Sequence, residues 1–159
     1  MSTYISRRIQ KEIKRDWDND TNDIPVFFGT FNIGICNFVV FDDCLDFHHH
    51  LLQISIDFNK STFPFTPPKN IKINNLDYFE LIKFNSYNHE ILERITGQKC
   101  SCCSSILCRN NWCTTNSMKD IIKEVIKNIK LKQRIIEITH WNKIINKYFG
   151  FYLPVIEYL

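Results

Sequence analysis

The clearest alternation of apolar and polar positions in this chain lies between residues 51 and 58. Four apolar residues alternate there with Gln53, Ser55 and Asp57, and they are Leu52, Ile54, Ile56 and Phe58. Successive side chains of a β-strand point to opposite faces, so the alternation predicts a strand with these four side chains on one face.

Further strands are predicted on both sides of this one. Residues 24–41 are rich in aromatic and β-branched residues, which favour one or two strands, with breaks at Gly29 and Gly34. Ile71 and Ile73 indicate a short fourth strand. Since neighbouring strands in sequence commonly pair, these segments predict an antiparallel meander.

The first helix is predicted from an apolar residue at every fourth position. This row is formed by Ile5, Ile9, Ile13 and Trp17, which places one apolar stripe on a helix from about residue 2 to residue 17. Ser2 or Thr3 is expected to cap its first turn.

The end of the chain predicts further helices. Ser117 is expected to cap a helix whose apolar face is Ile121, Ile122, Val125, Ile126 and Ile129. A second helix is expected at about residues 131–148, whereas residues 75–105 lack periodicity and predict a loop-rich crossing. The predicted fold is α+β: an N-terminal helix, a four-stranded antiparallel meander, an irregular crossing and C-terminal helices.

Length and composition favour one globular domain over residues 1–159, with a core at about 2–130 and a helical part at about 131–159. A net charge of +3 is too small to indicate a nucleic-acid partner. No apolar run has the length of a membrane span, and the N-terminus has no signal-peptide core, so we expect a cytoplasmic protein without a membrane partner. Seven cysteines are an odd number for a secreted disulfide framework.

Three local sequences together resemble the ubiquitin-conjugating enzyme family. The first is residues 6–13 in the first helix, and the second is the alternating strand followed by a proline-rich loop, Phe63-Pro64-Phe65-Thr66-Pro67-Pro68. The third is Cys103-Ser104-Ser105-Ile106-Leu107 followed by Asn111-Trp112, which is similar to the segment around the reactive cysteine of that family. The resemblance covers about residues 2–130 in the same order.

The resemblance implies a function and a set of site residues. Cys103 is expected to accept a ubiquitin-like modifier as a thioester from an activating enzyme and to pass it to a lysine or a ubiquitin ligase, without a metal or organic cofactor. Phe65 is expected to be exposed and to contact the ligase, while Phe63 turns inward. Arg7, Arg8 and Lys11 lie on the helix that meets partner proteins, although a basic helix face can equally be only solvated.

The chain also departs from the family pattern. It lacks the His-Pro-Asn sequence whose Asn stabilises the oxyanion, and Asn88-His89-Glu90-Ile91 occupies that neighbourhood. Asn88 or Asn110 is a candidate replacement donor. The proline that usually follows the tryptophan is also missing from Trp112-Cys113-Thr114.

Alternative interpretations of the cysteines and of the function stay open. Cys100 or Cys102 is an alternative reactive thiol to Cys103. Cys100, Cys102, Cys103 and Cys108, with His89, are candidate zinc ligands of an interaction module, although the Cys-x-Cys-Cys order lacks the usual second pair. An inactive relative that binds ubiquitin or a partner conjugating enzyme is the other alternative. The remaining role expected for cysteines is that of small buried apolar residues, at Cys36, Cys44, Cys108 and Cys113.

Overall fold

The computed structural model of the chain describes residues 3–17, 26–32, 34–41, 51–58, 62–100 and 103–150, and over these residues the fold is α+β. The elements follow in the order α1 (Thr3–Trp17), β1 (Val26–Asn32), β2 (Ile35–Phe41), β3 (Leu51–Asp57), β4 (Asn70–Ile73), β5 (Leu76–Asp77), α2 (Tyr78–Leu81), α3 (Ser86–Thr96) and α4 (Met118–Phe149).

The sheet is an antiparallel meander, as predicted, but its described part has five strands rather than four. The additional strand, β5, pairs with β4 through a tight turn at Asn74 and Asn75, whose φ angles are 49° and 68°. Asparagine tolerates this left-handed backbone better than most residues, which suits it to a two-residue hairpin turn. The Asn-Asn pair was the signal for β5 in the sequence.

The apolar face of β3 is buried as its alternation predicted. Leu52, Ile54, Ile56 and Phe58 are almost completely inaccessible to solvent. Their neighbours on β2 follow the same alternation, so that Cys36 pairs with Ile56 and Phe38 with Ile54. The buried face of the sheet therefore forms the centre of the main core.

The two glycines predicted as breaks have different effects. Gly34 adopts a φ of 79° next to the start of β2, in the left-handed region that favours glycine, and its carbonyl accepts a hydrogen bond from the Phe58 N–H at 2.9 Å. Gly29 instead lies inside β1, where the pairing register shifts between Phe28 and Thr30. It marks a bulge and not the end of a strand.

The stripe of α1 faces the core through Ile9, which is fully buried, and Ile13, which is half-buried. Thr3 is the first described residue of this helix. The predicted cap at Ser2 and the side chains of Ile5 and Trp17 lie outside the residues described, so those parts of the prediction stay untested.

The prediction of an irregular crossing between residues 75 and 105 is wrong, because α2 and α3 occupy much of it. Their first turns are capped by Asp77, which accepts a hydrogen bond from the Glu80 N–H at 2.9 Å, and by Asn85, which accepts one from the Asn88 N–H at 2.9 Å. The α3 helix then ends at Gly97, with a φ of 70°. The α2 helix is a single turn, and the buried residues of α3 include the polar Asn88, so neither helix gives a long apolar periodicity in the sequence.

The two predicted C-terminal helices are one continuous helix, α4. Ser117 caps it as expected and forms a reciprocal capping box with Asp120. No glycine or proline interrupts residues 118–149. The first half of α4 packs on the main core, and Ile135 in its second half packs on α3 in a separate small cluster with Ile91 and Leu92. None of the described helices is sufficiently long and apolar to cross a membrane.

Burial of Cys36 makes the stability of the fold sensitive to alkaline pH. Burial, and secondarily the Glu12 carboxylate, raise the pKa of the Cys36 thiol from 9.0 to about 12. The unfolded thiol ionises above pH 9 and the folded thiol does not, so the stabilisation is complete below pH 9 and is lost as the pH rises to about 12.

We therefore expect the free energy of unfolding to fall by up to about 1.4 kcal/mol per pH unit in this window from Cys36 alone. Burial likewise raises the pKa of Tyr78, and this adds to the slope. Urea unfolding from about pH 8, below this window, to about pH 11, inside it, measures the slope. Cys36→Ala must have the shallower slope, and an unchanged slope would contradict the prediction.

Candidate functional site

Cys103 lies in the connection between α3 and α4, where its side chain is exposed. Residues 105–107, which follow shortly after it, are buried or half-buried. Leu107 belongs to the main core, Ser105 is buried, and the half-buried Ile106 packs against the same core. Ile106 and Leu107 therefore anchor the segment that follows the cysteine, while the thiol remains at the surface.

Asn111 fixes the turn that carries Cys103. Its side-chain amide donates hydrogen bonds to the carbonyl oxygens of Cys103, at 2.7 Å, and of Ser105, at 3.1 Å. The backbone adds consecutive turns, in which the Cys108 N–H donates to the Ser105 carbonyl and the Asn111 N–H to the Cys108 carbonyl. The sequence analysis did not assign this role to Asn111, because the role depends on contacts with two specific carbonyl groups.

The proline-rich loop is joined to the same connection by Trp112. The indole N–H of Trp112 donates a hydrogen bond of 2.7 Å to the carbonyl of Pro64. Phe63 is 1% exposed and packs against Phe58 and Trp112, with ring centroids 4.8 Å and 6.1 Å away. Phe65 is 74% exposed. The prediction that Phe63 turns inward and Phe65 outward is confirmed.

Arg8 is half-buried and contacts three other residues of the molecule. Its guanidinium pairs with Glu12 at 2.8 Å, donates a 2.8 Å hydrogen bond to the Thr114 carbonyl and lies 5.1 Å from the ring centroid of Phe63. Arg7 and Lys11 have exposed side chains. Of the three residues predicted to bind partners, Arg8 thus has a structural role, whereas the other two are accessible.

Cys100 contacts Cys103 directly. The two sulfur atoms lie 2.7 Å apart, and Cys100 is half-buried while Cys103 is exposed. The third candidate thiol, Cys102, lies outside the residues described. Cys100 and Cys103 alone have the spacing Cys-x-x-Cys, which was present in the sequence but was read only as part of Cys-x-Cys-Cys.

The other cysteines only partly follow the expectation of burial. Cys36 is buried as predicted, Cys108 is half-buried, and Cys44 lies outside the described residues. Cys113 was predicted to be buried, and this is wrong. It is exposed because its segment forms a surface turn, and hydrogen bonds from the hydroxyl and backbone of Thr115 lower the pKa of its thiol. A second accessible thiol therefore exists close to Trp112.

The two candidate oxyanion donors lie in different surroundings. Asn88 is buried between α3 and α4, where its amide oxygen accepts a hydrogen bond of 2.9 Å from the Thr139 hydroxyl. Asn110 is exposed next to Asn111 in the connection that carries Cys103. The contacts of Asn88 thus favour Asn110 as the candidate donor.

His89, a candidate zinc ligand, contacts the chain just before Cys100. Its Nδ1 lies 3.1 Å from the Lys99 carbonyl oxygen, and since a carbonyl only accepts hydrogen bonds, Nδ1 carries the proton. Among the described residues, which exclude Cys102, no three potential ligands of the His, Cys, Asp or Glu type cluster closely enough to hold a metal ion.

The chain matches no protein-family model, no curated protein and no solved structure.

Proposed function

We propose that the protein is a ubiquitin-conjugating-type transferase that carries a ubiquitin-like modifier on Cys103. One observation supports this function above the others: the Cys103 side chain is exposed, while Leu107 and Asn111 anchor the turn that presents it. A thiol that accepts a protein tail has to be accessible, and a fixed turn lowers the entropy cost of aligning it with the incoming carbonyl. The proposed location is the cytoplasm.

The proposed reaction has two acyl transfers. The Cys103 thiolate attacks the carbonyl carbon of the thioester that joins the modifier to its activating enzyme, and the cysteine thiolate of that enzyme leaves. A lysine amine or a ligase cysteine then attacks the new thioester, and Cys103 leaves as a thiolate. No metal or organic cofactor takes part in either transfer.

The proline-rich loop and α1 are the proposed partner surfaces. Phe65 is an exposed ring on a loop that contains three prolines, so its contact with a ligase would order few additional bonds. Arg7 and Lys11 present positive charge to an acidic surface of the activating enzyme or ligase. The loop lies beside the Cys103 connection because Trp112 binds Pro64.

The missing His-Pro-Asn sequence suggests which acceptor, a lysine or a ligase cysteine, is favoured in the second transfer. Loss of one oxyanion donor typically costs about 2.7–4 kcal/mol, a factor of roughly a hundred to a thousand in rate. A thiolate is a better nucleophile than an amine at neutral pH, so transfer to a ligase cysteine tolerates this loss better than transfer to a lysine. Asn110 is the accessible candidate for a partial replacement.

The proposal is tested by incubating the protein with an activating enzyme, its modifier and ATP, followed by electrophoresis without reductant. We expect an adduct that reductant destroys and that Cys103→Ser abolishes. Cys113→Ser is the matched control, because it removes another exposed thiol from the same connection and must leave the adduct unchanged. An adduct that persists in Cys103→Ser and disappears in Cys100→Ser or Cys113→Ser would refute the role of Cys103.

Two results would favour the alternatives. Absence of an adduct, together with binding of ubiquitin or of a conjugating enzyme in a pull-down, would indicate an inactive relative with a binding function. Stoichiometric zinc by elemental analysis would indicate a zinc-stapled interaction module. Neither result is expected if Cys103 carries the modifier.

A further inference from the structure

The sulfur atom of Cys103, in the connection between α3 and α4, is in direct contact with that of Cys100. The Sγ atoms of Cys100 and Cys103 lie 2.7 Å apart, within hydrogen-bonding distance of each other. Both residues are thiols in the structure and are not joined in a disulfide. Two other described cysteines have different surroundings: Cys36 is buried on the core face of β2, and the hydrogen-bond partner of the Cys113 sulfur is the Thr115 hydroxyl.

Both ends of this Cys-x-x-Cys segment are fixed by contacts from outside it. His89, on α3, donates a hydrogen bond to the carbonyl of Lys99, directly before Cys100. Asn111 donates to the carbonyl of Cys103 itself. Because the backbone is held on both sides, the two sulfur atoms do not have to be brought together from a distance, and most of the entropy cost of pairing them is already met by the fold.

We propose that Cys100 and Cys103 form an oxidant-sensitive dithiol site, which hydroperoxides convert into a reversible intramolecular disulfide. The exposed Cys103 is the residue that an oxidant reaches first, and the half-buried Cys100 lies behind it as the resolving thiol.

The chemistry has two steps. The Cys103 thiolate attacks one oxygen of the hydroperoxide, the O–O bond breaks, and the products are a Cys103 sulfenic acid and an alcohol or water. The Cys100 sulfur then attacks the Cys103 sulfur, the S–S bond forms, and the sulfenic oxygen leaves as water. The two sulfurs together lose two electrons, the hydroperoxide gains them, and the two thiol protons end in the products. A small thiol reverses the change by thiol–disulfide exchange.

Oxidation converts the Cys103 thiol, which is the proposed nucleophile, into one half of a disulfide. If Cys103 carries a modifier, the disulfide would prevent charging until it is reduced, and this consequence rests on the proposed function. Formation of the disulfide does not rest on the proposed function, since it requires only the two thiols and the oxidant. Its test therefore contains no activating enzyme and no modifier.

The test treats the reduced full-length protein with hydrogen peroxide, blocks the remaining thiols with an alkylating agent and measures the intact mass. We expect a monomer that has lost two alkylatable thiols and the mass of two hydrogen atoms, and that recovers both thiols after treatment with a reductant. Persistence of all thiols, or a product with added oxygen and no S–S bond, would overturn the proposal.

Single substitutions identify the paired residues. Cys102→Ser and Cys113→Ser must retain the two-thiol loss, whereas Cys100→Ser and Cys103→Ser must abolish it. Loss of the effect in Cys102→Ser or Cys113→Ser would overturn the assignment of the pair. Far-ultraviolet circular dichroism of every variant before oxidation shows whether the fold is retained, and the result on the unsubstituted protein stands if a variant fails to fold.

Discussion

Phe63→Ala is expected to destabilise the protein by about 3–5 kcal/mol, the usual cost of removing a buried phenylalanine side chain. The ring lies among Phe58, Trp112 and the guanidinium of Arg8, so its removal leaves a cavity where the sheet, α1 and the connection to α4 meet. The cavity cannot collapse easily, because the prolines restrict the loop that carries Phe63.

Phe65→Ala is the matched control for this prediction. It deletes the same side chain two residues later in the same loop, but from a position that is 74% exposed, and surface substitutions usually change stability by less than about 0.5 kcal/mol. Urea unfolding of both variants measures the two changes. In thermal unfolding, Phe63→Ala should lower Tm by about 6–20 °C, since about 2–4 °C accompanies each kcal/mol in a protein of this size. Equal losses in the two variants would contradict the burial of Phe63.

The same pair of variants separates folding from the proposed partner contact. Phe65→Ala should leave both stability and charging of Cys103 unchanged and reduce only the transfer to a ligase. If Phe65→Ala leaves that transfer unaffected, the ligase contact at this ring is refuted, but the carrier role of Cys103 is not.

Glu12→Ala is expected to cost about 3 kcal/mol or more. One carboxylate oxygen of Glu12 accepts a 2.8 Å hydrogen bond from Arg8, and the other accepts a 2.9 Å hydrogen bond from the Met118 N–H at the start of α4. The Glu12 side chain is only 8% exposed. Removing one partner of a buried ion pair leaves the other charge poorly compensated, at a cost of about 3–5 kcal/mol. The remaining hydrogen bond from Arg8 to the Thr114 carbonyl keeps the expected loss near the lower limit.

An exposed pair of the same spacing provides the control. Glu90 and Arg94 form an Arg–Glu pair four residues apart on α3, with side chains 60% and 61% exposed. Exposed pairs contribute about 0.2–1 kcal/mol, so Glu90→Ala should have a small effect. Glu12→Gln should fall between the two alanine variants, because its amide oxygen can still accept the Met118 N–H. Urea unfolding of the three variants tests this order, and a loss in Glu90→Ala equal to that in Glu12→Ala would contradict it.

The Glu12 contact also connects stability to the candidate site. Glu12 and Arg8 join α1 to the connection at Thr114 and to the first residue of α4, close to Trp112. Variants of Glu12 are therefore expected to loosen the connection that presents Cys103. An active protein with an unchanged charging rate after Glu12→Ala would show that this support is not required for the candidate chemistry.

Several features followed from local sequence patterns alone. The alternation at residues 52–58 predicted both the strand and its buried face, and the Ser117 cap predicted the start of α4. The proline-rich loop predicted a turn that separates two rings, although the direction of each ring came from the family resemblance. Features of this type depend on neighbours within one or two turns, so the sequence contains most of the required information.

Other features depend on residues far apart in the chain and were decided by the tertiary structure. Arg8 faces inward because Thr114 and Phe63 lie beside it, and α4 continues past residue 130 because α3 covers its second half. The short α2 and α3 were missed since their burial patterns extend over few residues. The local pattern of apolar and polar residues does not specify any of these contacts.

The cysteines show most clearly which features follow from the sequence and which depend on the tertiary structure. The sequence established their number, their spacing and the apolar residues that follow Cys103. The folded chain decided that Cys36 is buried, that Cys113 is at the surface and that the sulfur of Cys100 touches that of Cys103. The physical reason is that accessibility and contact of a side chain depend on what packs around it, and the partners come from α1, α3, the proline-rich loop and the sheet, which only folding brings together.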